Sequence, residues 1–558
     1  MKSFLIQVVL ALFLTCCGNK DDIPSQENPT SDSEAPQGEE NPDIENSENL
    51  LLRLNGTQIV GPENNPVYLQ GVAFNNFMWF NTPEPPEHHG EIDYQLVKDM
   101  GMNAIRFYLN YHWFEDDANP YTYRQSGWDW LDQNIAWAKK YGIYLILNMH
   151  TPQGGYQSQG EGDALWENPE NQERLTALWR AIAERYKNEP QIAGFGPVNE
   201  PVPTQDMTQW NDLAQKLIDG IREVDPNHLL FIERAIYVEG NYVPDENLNF
   251  PEVSGENLVY EFHGYEPFAY THQLMEFSKL GDGGKYPDEL VIESYNTEWY
   301  TATFENPALI SGTTDWTYFQ GVRYTIEDEN IALAGPALVG AKVGGRVYFD
   351  DIVIAEYDAD GNFVQDVLTE NLSTLDNWNY WSSDGSGAAG LSNQVGHEDT
   401  ASLYIEGASD DCNLSNGQLA FVPKMGYSYQ INGWMKGDNV ASEAACQVRL
   451  DFSKSDGPLL TRNRDYLETT VASIAEWGKA KNAALYMGEF GVGNPCFQND
   501  KGGLRWVSDM VGILKEKNIP FTYHAYHEDN FGLYFGDGLP DPNNVNQPLI
   551  DWFTNNLR

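Results

Sequence analysis

Cysteine is scarce in this 558-residue chain: there are five, two of them at positions 16 and 17, and only Cys412, Cys446 and Cys496 lie beyond the N-terminus. Three dispersed cysteines make no disulfide framework, and no CxxC or HExxH run marks a zinc site. Cys412 and Cys446 share one stretch of the chain and stand as candidates for a pair. Basic residues are few as well: 33 Lys and Arg face 83 Asp and Glu, a net charge of −50. A surface so negative repels nucleic acid, anionic headgroups and acidic polymers, while a neutral polymer meets no such barrier. Solubility alone accounts for the acidity equally well. After residue 14 no apolar run is long enough to span a bilayer. Apolar (41%) and aromatic (13%) residues, by contrast, are ample for a core in a chain too long for one ordinary domain.

The first residues read as an address. Lys2 supplies a positive start, and Phe4 to Leu14 is an apolar stretch too short for a membrane span. Leu14-Thr15-Cys16-Cys17-Gly18 resembles a bacterial lipoprotein signal over residues 1–17, with the lipid on Cys17 in preference to Cys16. Asn19-Lys20-Asp21-Asp22 is similar to the acidic tag of surface-exported lipoproteins. The resemblance implies an outer-membrane lipoprotein facing outward, with a periplasm-facing one as the alternative. Residues 18–48 are mostly Ser, Glu, Asp, Asn and Pro, and cannot offset their ordering entropy by burial; they read as a disordered tether.

From Leu51 a strand-turn-strand leads into alternating short β runs and helical patterns. The expected strands are 68–74, 104–109, 144–150, 192–199, 229–233, 258–263, 484–488 and 521–525. Helical patterns lie at 93–100, 128–141, 171–186, 207–224 and about 464–481. Serial βα units predict parallel strands, and eight of them make an α/β fold of the (β/α)8 barrel kind. Between the sixth strand and the helix before the seventh, the sequence turns to Gly, Asn, Asp and Ser with alternating runs such as GRVYFDDIVIAEY, ASLYIEG and YSYQINGWMKG. That texture predicts an inserted all-β sandwich. The expected division is a barrel over 49–298 and 459–558, interrupted by a sandwich over 299–458.

Two carboxylates stand out. IAGFGPVNEP ends an apolar run on Asn199-Glu200-Pro201, and ALYMGEFGVG delivers Glu489 into a glycine-flanked turn. Both fall where barrel strands reach the C-terminal mouth, the catalytic end of such barrels. Paired carboxylates there are the minimum for breaking a glycosidic bond. Glu233 also ends a strand, in FIERA, and reads as structural.

With those motifs in place, the barrel resembles glycoside hydrolase family 5. Arg106 in NAIRFYL, His150 in LILNMH, Asn199-Glu200, His263 and Tyr265 in YEFHGYEP, and Glu489 in GEFG fall at the family's strands in the family's order. The resemblance implies Glu200 as acid/base and Glu489 as nucleophile, with Arg106 holding Glu489 anionic. It implies an apolar, aromatic setting that keeps Glu200 protonated. Asn199 would meet the substrate 2-OH, His150 the sugar at the cleavage point, and His263 and Tyr265 would orient the two carboxylates. The family's usual Trp after the eighth strand is missing; FTYHAYHEDNFGLY offers His524 there, with Tyr523, Tyr526 and His527 nearby. Trp79, Phe80, Trp113 and Trp166 lie in loops after strands and suit either sugar stacking or packing.

The insert resembles a jelly-roll carbohydrate-binding module with its motifs in rotated order, which implies a circular permutation. Trp316, Tyr318, Trp378, Tyr380 and Trp381 are its candidate binding aromatics. The expectation is a monomeric, retaining endo-hydrolase of β-1,4 bonds in a neutral polysaccharide, foremost a β-glucan. The alternatives are a β-mannanase, a β-1,3 or exo-acting glucan hydrolase, or a non-catalytic glycan-binding protein. No metal at the active site and no organic cofactor are implied, apart from a structural calcium of the kind jelly-roll modules hold.

Overall fold

The computed structural model describes residues 50–158, 162–243, 248–293, 297–301, 310–455 and 460–558; the expected signal and tether lie outside the described residues. The chain divides into two compact units. One comprises 50–266, Glu468–Gln498 and Gly503–Arg558, and the other Pro267–Leu467 and Asn499–Gly502.

The first unit is a closed barrel of eight parallel strands. In chain order these are β1 (Gln70–Phe74), β2 (Ala104–Asn110), β3 (Tyr144–Thr151), β4 (Ile192–Gly196), β5 (Leu229–Glu233), β6 (Leu258–Gly264), β7 (Ala484–Phe490) and β8 (Phe521–Tyr523). Each strand pairs with its neighbour in sequence, and β8 closes on β1. All seven residues of β2 are buried, as expected of a strand packed on one side by the barrel interior and on the other by helices. Helices α1 (Glu91–Asp99), α2 (Gln125–Tyr141), α3 (Pro169–Tyr186), α4 (Met207–Arg222), α5 (Arg464–Lys481), α6 (Gly503–Glu516) and α7 (Gln547–Asn556) alternate with the strands. Their ends carry local signals. Asn168 and Asp206 cap α3 and α4 by accepting from the amides of Glu170 and Thr208, and α2 stops at left-handed Gly142.

The N-terminal end of the barrel is plugged. The hairpin Arg53–Asn55/Gln58–Val60 brings Leu52 and Ile59 against Leu69, Ala104, Ile146, Leu229, Val259 and Ala484, residues at the starts of the strands. The C-terminal mouth is left for chemistry. β4 ends at Gly196 rather than at Asn199, because Pro197 has no N–H to extend the ladder. The segment still runs beside β3, since the Asn199 amide donates to the Met149 carbonyl at 3.1 Å. α6 and α7 occupy stretches where no helix was expected.

The second unit is a two-sheet sandwich. A five-stranded antiparallel sheet orders Thr297–Thr301, Ala445–Ser455, Ile331–Ala341, Cys412–Ser415 and Asn379–Ser382. The facing seven-stranded sheet is built around Arg346–Tyr357 and Ser428–Asp438. Phe349, Ile352, Leu403, Ile431, Met435, Val448 and Phe452 fill the space between. Before and after the sandwich, Asp288–Glu293 pairs antiparallel with Leu460–Arg462, so both ends of the insertion emerge side by side. The sandwich strands run from Thr297 to Ser455, but the compact unit is wider than 299–458 because the connection after β6 packs with it. Cys412 and Cys446 are free, buried thiols, not a disulfide. Among the described residues no helix is long and apolar enough to cross a membrane.

Because Glu293 and Leu460 are register partners, a short Gly/Ser bridge can replace residues 294–459. Closure entropy changes only slowly with loop length, so the shortened chain should keep a cooperatively folded barrel. Circular dichroism melts check this: a single transition within about 5 °C of the barrel transition in the parent is the expected result.

Candidate active site

Side chains alternate along a strand, so Arg106, Tyr108 and Asn110 of β2 share one direction. Arg106 is fully buried, and its guanidinium is the hub of the mouth. Nη1 donates to Glu489 Oε1 at 2.6 Å and Nη2 to Asn199 Oδ1 at 2.8 Å. Nε lies 2.7 Å from Glu261 Oε1 as an ion pair without hydrogen-bond alignment, and Nη2 is 3.5 Å from Glu233 Oε2. Gly488 makes the Glu261 position possible: a Cβ there would sit 1.8 Å from Glu261 Oε1.

Glu489, near the end of β7, collects donors on both oxygens. Tyr108 Oη donates to Oε1 at 2.6 Å and Tyr265 Oη to Oε2 at 2.8 Å, while His263 and His524 stand 3.7 and 3.8 Å from Oε2. Burial alone would push this carboxyl up, but His263, His524 and Arg106 outweigh it and hold Glu489 well below the usual range. At neutral pH it is a carboxylate.

Glu200 lies beyond the strand in a left-handed conformation, φ 43°, immediately before Pro201. Such backbone costs on the order of 1–3 kcal/mol and gathers at functional sites. His263 Nδ1 contacts Glu200 Oε1 at 2.9 Å, the orienting contact the sequence suggests. A bulge between Phe262 and His263 brings His263 level with Glu489 in the β6–β7 register. The opposite ring nitrogen, Nε2, faces Glu233 Oε1 at 3.3 Å and Glu261 Oε1 at 3.7 Å. Burial pushes His263 down, but Glu233, Glu489 and the contact with Glu200 raise it well above the ordinary value, and the ring is an imidazolium. One ligand-type oxygen of Glu200 lies within 4.8 Å of one of Glu489. A retaining mechanism needs its two carboxyl groups close together, about 5–5.5 Å apart.

The remaining expected residues take distinct places. His150 stacks on Tyr108 at 3.8 Å between ring centres and bonds Asn148 Oδ1 through Nδ1; burial pushes it far down, so the ring is neutral. His524 contacts Tyr108 Oη through Nδ1 at 3.0 Å and Glu528 through Nε2 at 3.4 Å. Tyr523, Tyr526 and His527 are fully buried. Trp113 and Trp166 are packing residues, while Trp79 and Phe80, 40% and 55% exposed, remain open to a ligand. Tyr108 and Glu261 were not singled out in the sequence. The signal was there, since each lies two residues from a recognised partner on the same strand face, Arg106 and His263. Glu233, read as structural, joins the cluster through His263.

His88, His89 and His527 form a second group of ligand-type side chains. The rings of His88 and His527 lie parallel, 4.2 Å apart and 8° from coplanar orientation, so their lone pairs do not converge on one ion. In the main cluster, Arg106 already supplies the cationic charge.

The family model described as Cellulase (glycosyl hydrolase family 5) matches residues 60–321. Over that span the barrel is similar to glycoside hydrolase family 5. Endoglucanase C of Acetivibrio thermocellus is 34% identical over 191 residues, 34% of this chain and 54% of that protein. A beta-xylosidase of Phanerodontia chrysosporium is 29% identical over 261 residues, 39% of this chain and 52% of that protein. The chain thus spans about half the length of these curated relatives. The crystal structure of endoglucanase Cel5A from Thermotoga maritima aligns with a TM-score of 0.46 at 15% identity, covering 87% of this chain and 96% of that one.

The group His88, His89 and His527 carries a pH dependence. Burial pushes His88 from 6.5 down to about 3 and also lowers His89 and His527. The unfolded chain takes up these protons near pH 6.5 and the folded chain does not, so the contribution is intact above 6.5 and lost on acidification. His88 alone should cost about 1.4 kcal/mol per pH unit below that point. Urea melts between pH 6.5 and 5 should show the decline, and His88→Asn should make it shallower.

Proposed function

We propose that the chain is a retaining, endo-acting glycoside hydrolase that cleaves internal β-1,4 bonds of a neutral polysaccharide, foremost a β-glucan. The observation carrying this reading is the carboxylate pair: Glu489 held ionised by Arg106, Tyr108 and Tyr265, with a Glu200 oxygen within 4.8 Å and bonded to His263. Asn199, fixed by Arg106, is placed for a substrate hydroxyl. The endoglucanases among the relatives favour glucan over mannan.

In the first step Glu489 attacks the anomeric carbon while Glu200 gives its proton to the departing oxygen, so the C–O bond to the leaving sugar breaks as the glycosyl–enzyme ester forms. Oε2, bonded by Tyr265, carries fewer hydrogen bonds than Oε1 and is the attacking oxygen. His263 then faces a new carboxylate on Glu200. In the second step Glu200 takes a proton from water, whose oxygen displaces Glu489 from the sugar. Two inversions give net retention.

The insert is read as a carbohydrate-binding module. Tyr318 is 52% exposed, with Trp434 beside it at 5.4 Å and His397 stacked on that indole. Trp378, in contrast, is buried and belongs to the sandwich core. The chain is further read as a monomeric outer-membrane lipoprotein facing outward, with its tether holding the barrel about 30 Å from the lipid.

Glu200→Ala should cut polysaccharide hydrolysis by about 10²–10⁴-fold, the usual share of a general acid, while sparing aryl glycosides with good leaving groups. Glu489→Ala should abolish turnover on both, with partial rescue by azide giving the inverted product. Reducing-sugar and viscosity assays on glucan, mannan and xylan read both variants; near-native activity in both would refute the assignment. For location, Cys17→Ala should release the protein from the membrane fraction and Cys16→Ala should not, because stable anchoring needs the lipid chains of a mature lipoprotein. Shaving of intact cells with protease then tells an outward face from a periplasmic one.

A further inference from the structure

The floor of the site holds more ionisable groups than the two-carboxylate mechanism uses. Arg106 and His263 are the cations of the floor, and Glu200, Glu233, Glu261 and Glu489 are the carboxyls in contact with them; the further cation beside Glu489, His524, is matched by Glu528 at 3.4 Å. Four ionised carboxylates against two cations would leave two uncompensated negative charges in a buried cluster, at a prohibitive desolvation cost. Two of the carboxyls must therefore carry protons. Glu489 is excluded by its three strong donors. On the retaining reading, on which this inference rests, Glu200 carries one as the acid. The other belongs to Glu233 or Glu261.

Geometry separates those two. Glu261 has a guanidinium nitrogen at 2.7 Å. Glu233, 1% exposed at the end of β5, has its nearest cationic atoms at 3.3 Å (His263 Nε2) and 3.5 Å (Arg106 Nη2). Neither residue's oxygens accept a hydrogen bond, a severe penalty for a carboxylate and a mild one for a carboxylic acid, so the closer cation decides for Glu261 as the ionised member. Its other charged neighbours, Glu261 and Glu200, are like-signed when ionised.

We propose that Glu233 is a positioning residue that works as a neutral, protonated carboxylic acid, acting on the acid/base Glu200 through the His263 ring. Burial and Glu261 push this carboxyl well above the ordinary range, against the pull of His263 and Arg106. The consequence lies in where the charge of His263 is spent. An ionised Glu233 at Nε2 would neutralise the imidazolium from behind. A protonated one holds the ring in place and leaves its charge directed through Nδ1 at Glu200, 2.9 Å away. When Glu200 gives up its proton, that charge stabilises the carboxylate left behind as the leaving group departs.

Infrared difference spectra of the full-length protein near neutral pH, wild type minus Glu233→Gln, test the protonation state without any substrate. A protonated-carboxyl C=O band present in the wild type and lost in the variant is the expected result. Loss of a carboxylate band instead would overturn the proposal. Kinetics test the action on Glu200. Glu233→Ala should lower kcat about 10–100-fold on glycosides with poor leaving groups and far less on activated aryl glycosides, within the span of general-acid effects. Glu233→Gln, the neutral isostere, should recover most of that loss. An equal loss on both substrate types, or no recovery by Gln, would contradict the role. A wild type that hydrolyses nothing would sink the proposed function, and the infrared result would still decide the state of Glu233.

Discussion

Everything at the barrel mouth depends on one buried cation. Arg106 has no access to solvent, so its charge must be met by the protein. It is met from four strands or strand ends at once: Glu489 on β7, Glu261 on β6, Glu233 on β5 and Asn199 after β4. The guanidinium fork suits this, since its donors lie in one rigid plane and cannot be deprotonated at working pH. A lysine would offer a compact charge on a flexible stem and could not hold Asn199 and Glu489 together. The same contacts that neutralise Arg106 hold Glu489 ionised, so burial of one charge becomes the activation of another.

The second constraint is proton number. A site that breaks a glycosidic bond with two carboxyls needs them in different states, although both sit in one cluster. Here the two carboxyls differ in their partners. Glu489 is surrounded by donors, while Glu200 meets a single imidazole nitrogen and stands on a left-handed residue outside the strand. His263 touches both carboxyls and reaches the floor with its other nitrogen, so it couples their states. Gly488 and the bulge before His263 are the backbone devices that make room for this layer.

Much of this was legible in the sequence, for physical reasons. Parallel barrel strands are buried on both faces and read as short apolar runs, so all eight could be placed, and the residues that close β3, β6 and β7 are the ones that reach the mouth. The boundary of β4 was misplaced because Pro197 stops the ladder before the chain turns away. α6 and α7 went unread. Tyr108 and Glu261 were passed over although both share a strand face with a recognised site residue. Partners such as Glu233 and His263 meet only through closure of the barrel, which no local pattern encodes. The contact of His263 with Glu200 was legible from its place at the end of β6. Free thiols at Cys412 and Cys446 show the limit of such reading, since shared location in sequence does not determine pairing.

The central claim is that Glu489, ionised by its contact with Arg106, is the atom donor that bonds the sugar. Incubation with a 2-deoxy-2-fluoro-β-cellobioside bearing a good leaving group, followed by peptide mapping, tests it most directly, because fluorine at C2 slows release of any covalent intermediate. The account predicts one fluoroglycosyl adduct, on the peptide that contains Glu489. An adduct on the Glu200 peptide, or turnover that gives the inverted sugar with no adduct at all, would contradict it.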